Sequence, residues 1–88
     1  GLSLSESLAG NAISFRANGH GIASSQLEVY DLRGQRIFAA QGAGSQLTWK
    51  LNSGTAYVAN GVYLYRVSVE STGGDVLQSG VRKLVVMR

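Results

Sequence analysis

Residues 60–69, Asn-Gly-Val-Tyr-Leu-Tyr-Arg-Val-Ser-Val, constrain this chain more than any other stretch. Tyr63, Tyr65, Val67 and Val69 share one face of an extended strand; Arg66, Ser68 and Glu70 share the other, with Val62 and Leu64. Period-two alternation makes one dry face and one wet face. Tyr and Val suit a pleated, half-buried surface, and Gly61 permits a backbone turn at the entry. The stretch reads as the central strand of an antiparallel sheet, with the rest of the chain packed around it.

Other segments repeat the pattern. In 11–17, Ile13, Phe15 and Ala17 point one way, Ser14 and Arg16 the other. In 25–30, Leu27 and Val29 share a face; 35–40 returns after the turn Asp31-Leu32-Arg33-Gly34, whose Asp and Gly suit a type I turn. Leu47, Trp49 and Leu51 form another face in 46–51. Residues 76–88 read as a last strand with Leu84 and Val86 inward, Lys83, Val85 and Met87 outward, and a bulge or bend at Gly80. No helical stripe appears. Six to seven short strands with turns between them predict an all-β, antiparallel β-sandwich over residues 11–88. Residues 1–10 have no firm period and read as a linker or a ragged first edge strand. Trp49, Phe15, Tyr63, Tyr65 and Val67 are expected in the core. Tyr63, just after Gly61, resembles a tyrosine corner, in which the hydroxyl bonds back to nearby backbone.

Composition narrows the function. With 88 residues, one domain is expected. No apolar run is long enough to span a bilayer. The start lacks both an initiator Met and the pattern of a signal peptide, so the chain reads as a piece of something longer or a processed product. The absence of cysteine removes thiolate metal sites, thiol nucleophiles and disulfides, and points to a cytosolic protein or a bacterial extracellular module. A net charge of +3 without a basic run reads as a solvated surface, so no nucleic-acid partner is expected.

Candidate chemistry is sparse. His20 is the lone histidine, set between two glycines; a Ser-His-Asp site is a formal option, and a solvated loop histidine the simpler reading. Asp31 and Asp75 read as turn residues, with calcium held by loop carbonyls and an Asp left open. Gly42-Ala43-Gly44-Ser45 lacks the Lys and the helix of a phosphate loop. No cofactor and no catalytic residue are expected. Tyr30, Phe38 and Tyr57 fall off the apolar faces and are the candidates for an exposed aromatic strip that would stack on a sugar.

The segments also resemble a family. Leu27-Glu28-Val29-Tyr30-Asp31-Leu32-Arg33-Gly34-Gln35-Arg36-Ile37, Thr48-Trp49, Gly61-Val62-Tyr63 and Lys83-Leu84-Val85-Val86-Met87-Arg88 follow, in order and spacing, the signature of the immunoglobulin-like C-terminal domain of secreted bacterial proteins. That domain is similar to the immunoglobulin-like domain of the flagellar hook-capping protein and to the type IX secretion C-terminal sorting domain. Leu51 departs from the pattern, where the family usually has Gly. The domain is expected to be a monomer, and the resemblance implies a non-catalytic module joined to an upstream domain, often a hydrolase. It implies an extracellular or cell-surface location and a role in export, surface sorting or stabilisation. Secretion machinery would be a partner, with Lys83 to Arg88 as the sorting strand. A carbohydrate-binding module using the exposed aromatics is the alternative.

Overall fold

The alternating stretch at 60–69 becomes the longest strand of the protein, Gly61–Ser71 (β6). The computed structural model describes residues 3–19, 21–51 and 58–87. Seven further strands surround β6: Ser3–Ala9 (β1), Ala12–Asn18 (β2), Ile22–Tyr30 (β3), Arg36–Ala43 (β4), Gln46–Lys50 (β5), Val76–Gln78 (β7) and Arg82–Val86 (β8). They form a three-stranded sheet, β1-β2-β5, and a five-stranded sheet in which β6 pairs with β3 on one flank and with β7 and β8 on the other. Every pairing is antiparallel. The architecture is an antiparallel β-sandwich, and none of its described residues form a helix.

The eight strands exceed the six to seven expected, for two reasons. Ser3–Ala9 pairs with β2 along its whole length despite lacking a clear alternation. An edge strand borrows its ladder from its neighbour and keeps only half its side chains near the core. The expected single strand over 76–88 is divided into β7 and β8 by residues 79–81. Ser79 bridges the break: its amide donates to the Val67 carbonyl at 2.9 Å, and its Oγ accepts from the Val67 amide at 3.1 Å. A side-chain oxygen thus replaces one rung of the ladder.

The inner faces meet in one core. Ile13, Phe15, Ala17, Trp49 and Leu51 come from the smaller sheet and its exit; Leu27, Val29, Tyr65, Val67, Val69, Leu84 and Val86 come from the larger. Fully burying a Leu or Val side chain contributes roughly 1.5–3 kcal/mol. The last strand adopts the expected register, with Leu84 and Val86 buried. Ser25 is the buried polar side chain among the described residues, and its hydroxyl donates to the Gly44 carbonyl.

Two hairpins of the larger sheet use one turn design. At Asp31–Gln35 the Gly34 amide donates to the Asp31 carbonyl at 3.0 Å, and the Asp31 amide donates to the Gln35 carbonyl at 2.9 Å. At Ser71–Asp75 the matching bonds are 3.0 and 2.8 Å. Gly34 (φ 87°) and Gly74 (φ 91°) occupy the left-handed position that closes each type I turn with a bulge. Asp31 Oδ1 accepts from the Gln35 amide as Ser71 Oγ accepts from the Asp75 amide.

Candidate functional site

The candidate surfaces lie on the larger sheet: its edge strand β8 and its outer face. Lys83, Leu84, Val85 and Val86 lie in β8, and Met87 follows it. On the side away from β6, β8 pairs with no strand among the described residues. Leu84 and Val86 face the core, opposite Tyr63 and Gly61. Lys83 and Val85 face out, opposite Leu64 and Val62. Val85 is 50% exposed and Met87 72%, so an apolar strip stands open beside a lysine. Arg88 lies outside the described residues.

Trp49 anchors the core at this end of the molecule. Phe38 stacks on it with ring centroids 5.5 Å apart, and Tyr63 meets it edge-on at 5.9 Å. Tyr63 is only partly buried, unlike the full core position expected. Its hydroxyl needs a polar partner and finds the Ala59 carbonyl at 2.7 Å. Gly61 has a φ of 156°, a value that side chains rarely adopt, although nothing lies within 4 Å of where a Cβ would stand.

Tyr30 and Phe38 do not share a face. Phe38 lies on the inner face of β4, opposite the buried Val29, and its ring packs on Trp49. Tyr30 lies on the outer face of β3, opposite Leu64. The two rings therefore stand on opposite sides of one sheet. Phe38 was expected off the apolar faces; the register shift between β3 and β4 at Val29 and Tyr30 sets it opposite Val29, where it stacks on Trp49. Tyr57 and His20 lie outside the described residues.

Glu28 organises the middle of the outer face. Its Oε1 accepts from Arg66 Nη2 at 2.7 Å and its Oε2 from Arg36 Nη1 at 3.3 Å. The Arg66 hydrogen bond holds the Glu28 carboxyl below its usual range, against the opposing effect of burial. The same contact raises the Arg66 guanidinium. Arg66 Nε is buried and has no hydrogen-bond partner among the described residues. Cross-strand pairing brings these residues together, since Glu28 faces Arg66 across β3 and β6. The hairpin spacing of Glu28 and Arg36 was the one signal available beforehand.

The flank between the sheets holds a second polar contact. Glu6, on β1, accepts from the Tyr65 hydroxyl at 2.6 Å. Burial, then the Glu6 bond, pushes Tyr65 up to about 12, while Arg82 pulls the other way. Glu6 and Arg82 stand on the edge strands β1 and β8, opposite the buried Phe15 and Tyr65. Asp31 is a turn residue, as expected: its Oδ1 accepts from the Gln35 and Arg33 amides, and the Gln35 bond leads in holding it below the usual range. Among the described residues, no three His, Asp or Glu side chains come together as metal ligands would.

No family model matches the chain, and no curated protein matches it. Solved structures do. Dimeric latent PorU from Porphyromonas gingivalis superposes with a TM-score of 0.67 at 23% identity, over 98% of this chain and 9% of PorU. CopC from Methylosinus trichosporium OB3b gives 0.59 at 20% identity, over 88% of this chain and 76% of CopC. Pectate lyase Pel3 from Pectobacterium carotovorum gives 0.58 at 16% identity, over 99% of this chain and 27% of Pel3. At such identities the likeness is one of fold: this chain has the antiparallel sandwich that forms most of CopC and a minor share of the longer PorU and Pel3 chains.

Proposed function

We propose that this chain is a non-catalytic accessory module of a larger secreted bacterial protein, acting outside the cell or at its surface. The observation that carries the reading is β8. It closes the larger sheet with Leu84 and Val86, while its other edge, beside Lys83 and half-exposed Val85, pairs with no strand among the described residues. Such an edge can add a strand from a partner through main-chain hydrogen bonds, with side chains supplying specificity. Secretion machinery is the partner proposed. The motif resemblance to sorting domains supports this, and so does the small share of PorU and Pel3 that the chain spans. Catalysis, in this reading, belongs to an upstream domain, and the module works as a monomer without cofactor or nucleic acid.

The test changes the outward side chains of β8 and leaves its buried ones alone. Lys83→Glu with Val85→Glu is introduced into the full-length parent in its own host. Retention of a folded, active parent in the cell envelope is the expected result. Normal export would remove the sorting role and leave the module as a stabilising appendage.

A further inference from the structure

The outer face of the larger sheet carries a second surface, remote from the open edge of β8. Pairing aligns Gln41, Gln26, Ser68 and Gln78 in one row across β4, β3, β6 and β7. The next row toward the β6–β7 turn is Ala43, Ser24, Glu70 and Val76. The small side chains of Ser24 and Ser68 leave a trough between the longer Gln26, Gln41, Glu70 and Val76. Its volume is about 480 Å³, within the roughly 300–1,000 Å³ of small-ligand sites. Strand spacing makes the glutamine row roughly 14 Å long. The Glu28–Arg66–Arg36 cluster bounds it on the other side.

The chemistry of the trough selects its ligand. Gln26 and Gln41 line the trough and Gln78 extends the row beyond it; all three are exposed, and their amides carry no intramolecular hydrogen bond among the described residues. Each amide offers two donors and an acceptor, Ser68 offers a hydroxyl, and Glu70 accepts. A ligand matching this set must donate and accept at closely spaced points along its length. Glu70 is the one ionised group in the lining, so an anion is repelled and a cation finds a single carboxylate. Val76, 61% exposed, supplies an apolar patch for C–H groups. A peptide would be bound at a sheet edge, because the backbone groups beneath this face are already paired.

We propose that this trough binds a neutral oligosaccharide laid across the strands along the Gln41–Gln26–Ser68–Gln78 row. The site is independent of the open edge of β8 and of the export reading. The test is a nuclear magnetic resonance titration of the 88-residue chain, following the side-chain amide signals of its glutamines. The probes are neutral hexasaccharides of glucose, xylose and mannose, with hexagalacturonate as the charged comparison. A neutral probe should shift the Gln26 and Gln41 side-chain signals saturably. Gln26→Ala and Gln41→Ala should each weaken binding ~3- to 10-fold, the loss of one uncharged hydrogen bond. Thr48→Ala, on the opposite sheet, should leave it unchanged. Three results would each overturn the proposal. One is silence from every neutral probe at millimolar concentration. Another is tighter binding of hexagalacturonate. The third is a shift map centred on Tyr30 or on the smaller sheet.

Discussion

The two sheets are alike inside and unlike outside. Ile13, Phe15 and Trp49 of the smaller sheet do the same work as Leu27, Val29 and Tyr65 of the larger: each side is dry and close-packed. Their outer faces diverge. The smaller sheet presents polar side chains in register, Ser7–Ser14–Thr48 and Ser5–Arg16–Gln46, joined among the described residues by a weak Arg16–Gln46 bond at 3.3 Å. The larger presents a carboxylate holding two guanidiniums, an open glutamine row, and exposed Val62 and Val85. Burial asks little of a core residue beyond being apolar and of the right size. The outer faces are free to differ.

The deepest cut removes what the sheets share. Trp49→Ala should cost about 3–5 kcal/mol in chemical denaturation, since it leaves Phe38 and Tyr63 facing a void. A loss below 1 kcal/mol would mean that Trp49 does not join the sheets. Intrinsic fluorescence of the native protein should be blue-shifted and move red on unfolding.

Tyr65→Phe cuts the polar tie between sheets and keeps the packing. Its expected cost is roughly 0.5–1.5 kcal/mol. The pH dependence is more diagnostic. The folded Tyr65 titrates near 12 and the unfolded one near about 10, so the unfolded chain loses the proton first. The stabilisation is complete below about 10 and disappears as pH rises toward 12. Tyr65→Phe should show a shallower alkaline loss; identical alkaline limbs would exclude Tyr65 as the buried group.

The next change is confined to the outer face of the larger sheet. Arg66 and Arg36 hold the Glu28 carboxyl below its usual range. The stability it contributes is present above the usual carboxylate range and is lost as pH falls through its lowered value. Glu28→Gln should flatten the acid limb of a stability-versus-pH curve and reduce its sensitivity to salt. An unchanged acid limb would show that the cluster is solvated and idle.

Val85→Ser should have the smallest effect. Val85 is half exposed on an edge strand, and surface changes of this kind usually stay within about 0.5 kcal/mol. A loss above 2 kcal/mol would mean that Val85 is covered in solution.

Particular residues show where legibility ended. Leu27, Val29, Trp49, Tyr65 and Val67 fall where their alternation put them, because period-two patterning is a local property. The turn at Asp31–Gly34 was equally legible, since the side chain that caps it is its own first residue. Ser3–Ala9 was harder: an edge strand needs only one partner, and exposed Ser5 and Ser7 leave no pattern. Phe38 could not be read at all, because its ring is held by Trp49, eleven positions further along the chain. Tyr63 went only halfway to the core, as its hydroxyl had to reach the Ala59 carbonyl.

By itself the sequence determined the class of this protein: alternation every two residues, interrupted by glycine turns, leaves a chain without helical stripes little choice but paired sheets with one shared core. The tertiary structure alone decided which outer residues meet. Glu28 with Arg66, Tyr65 with Glu6, and the glutamine row are separated along the chain and joined by strand order and register. Side-chain period says which face a residue occupies, and only pairing across strands says what stands beside it there.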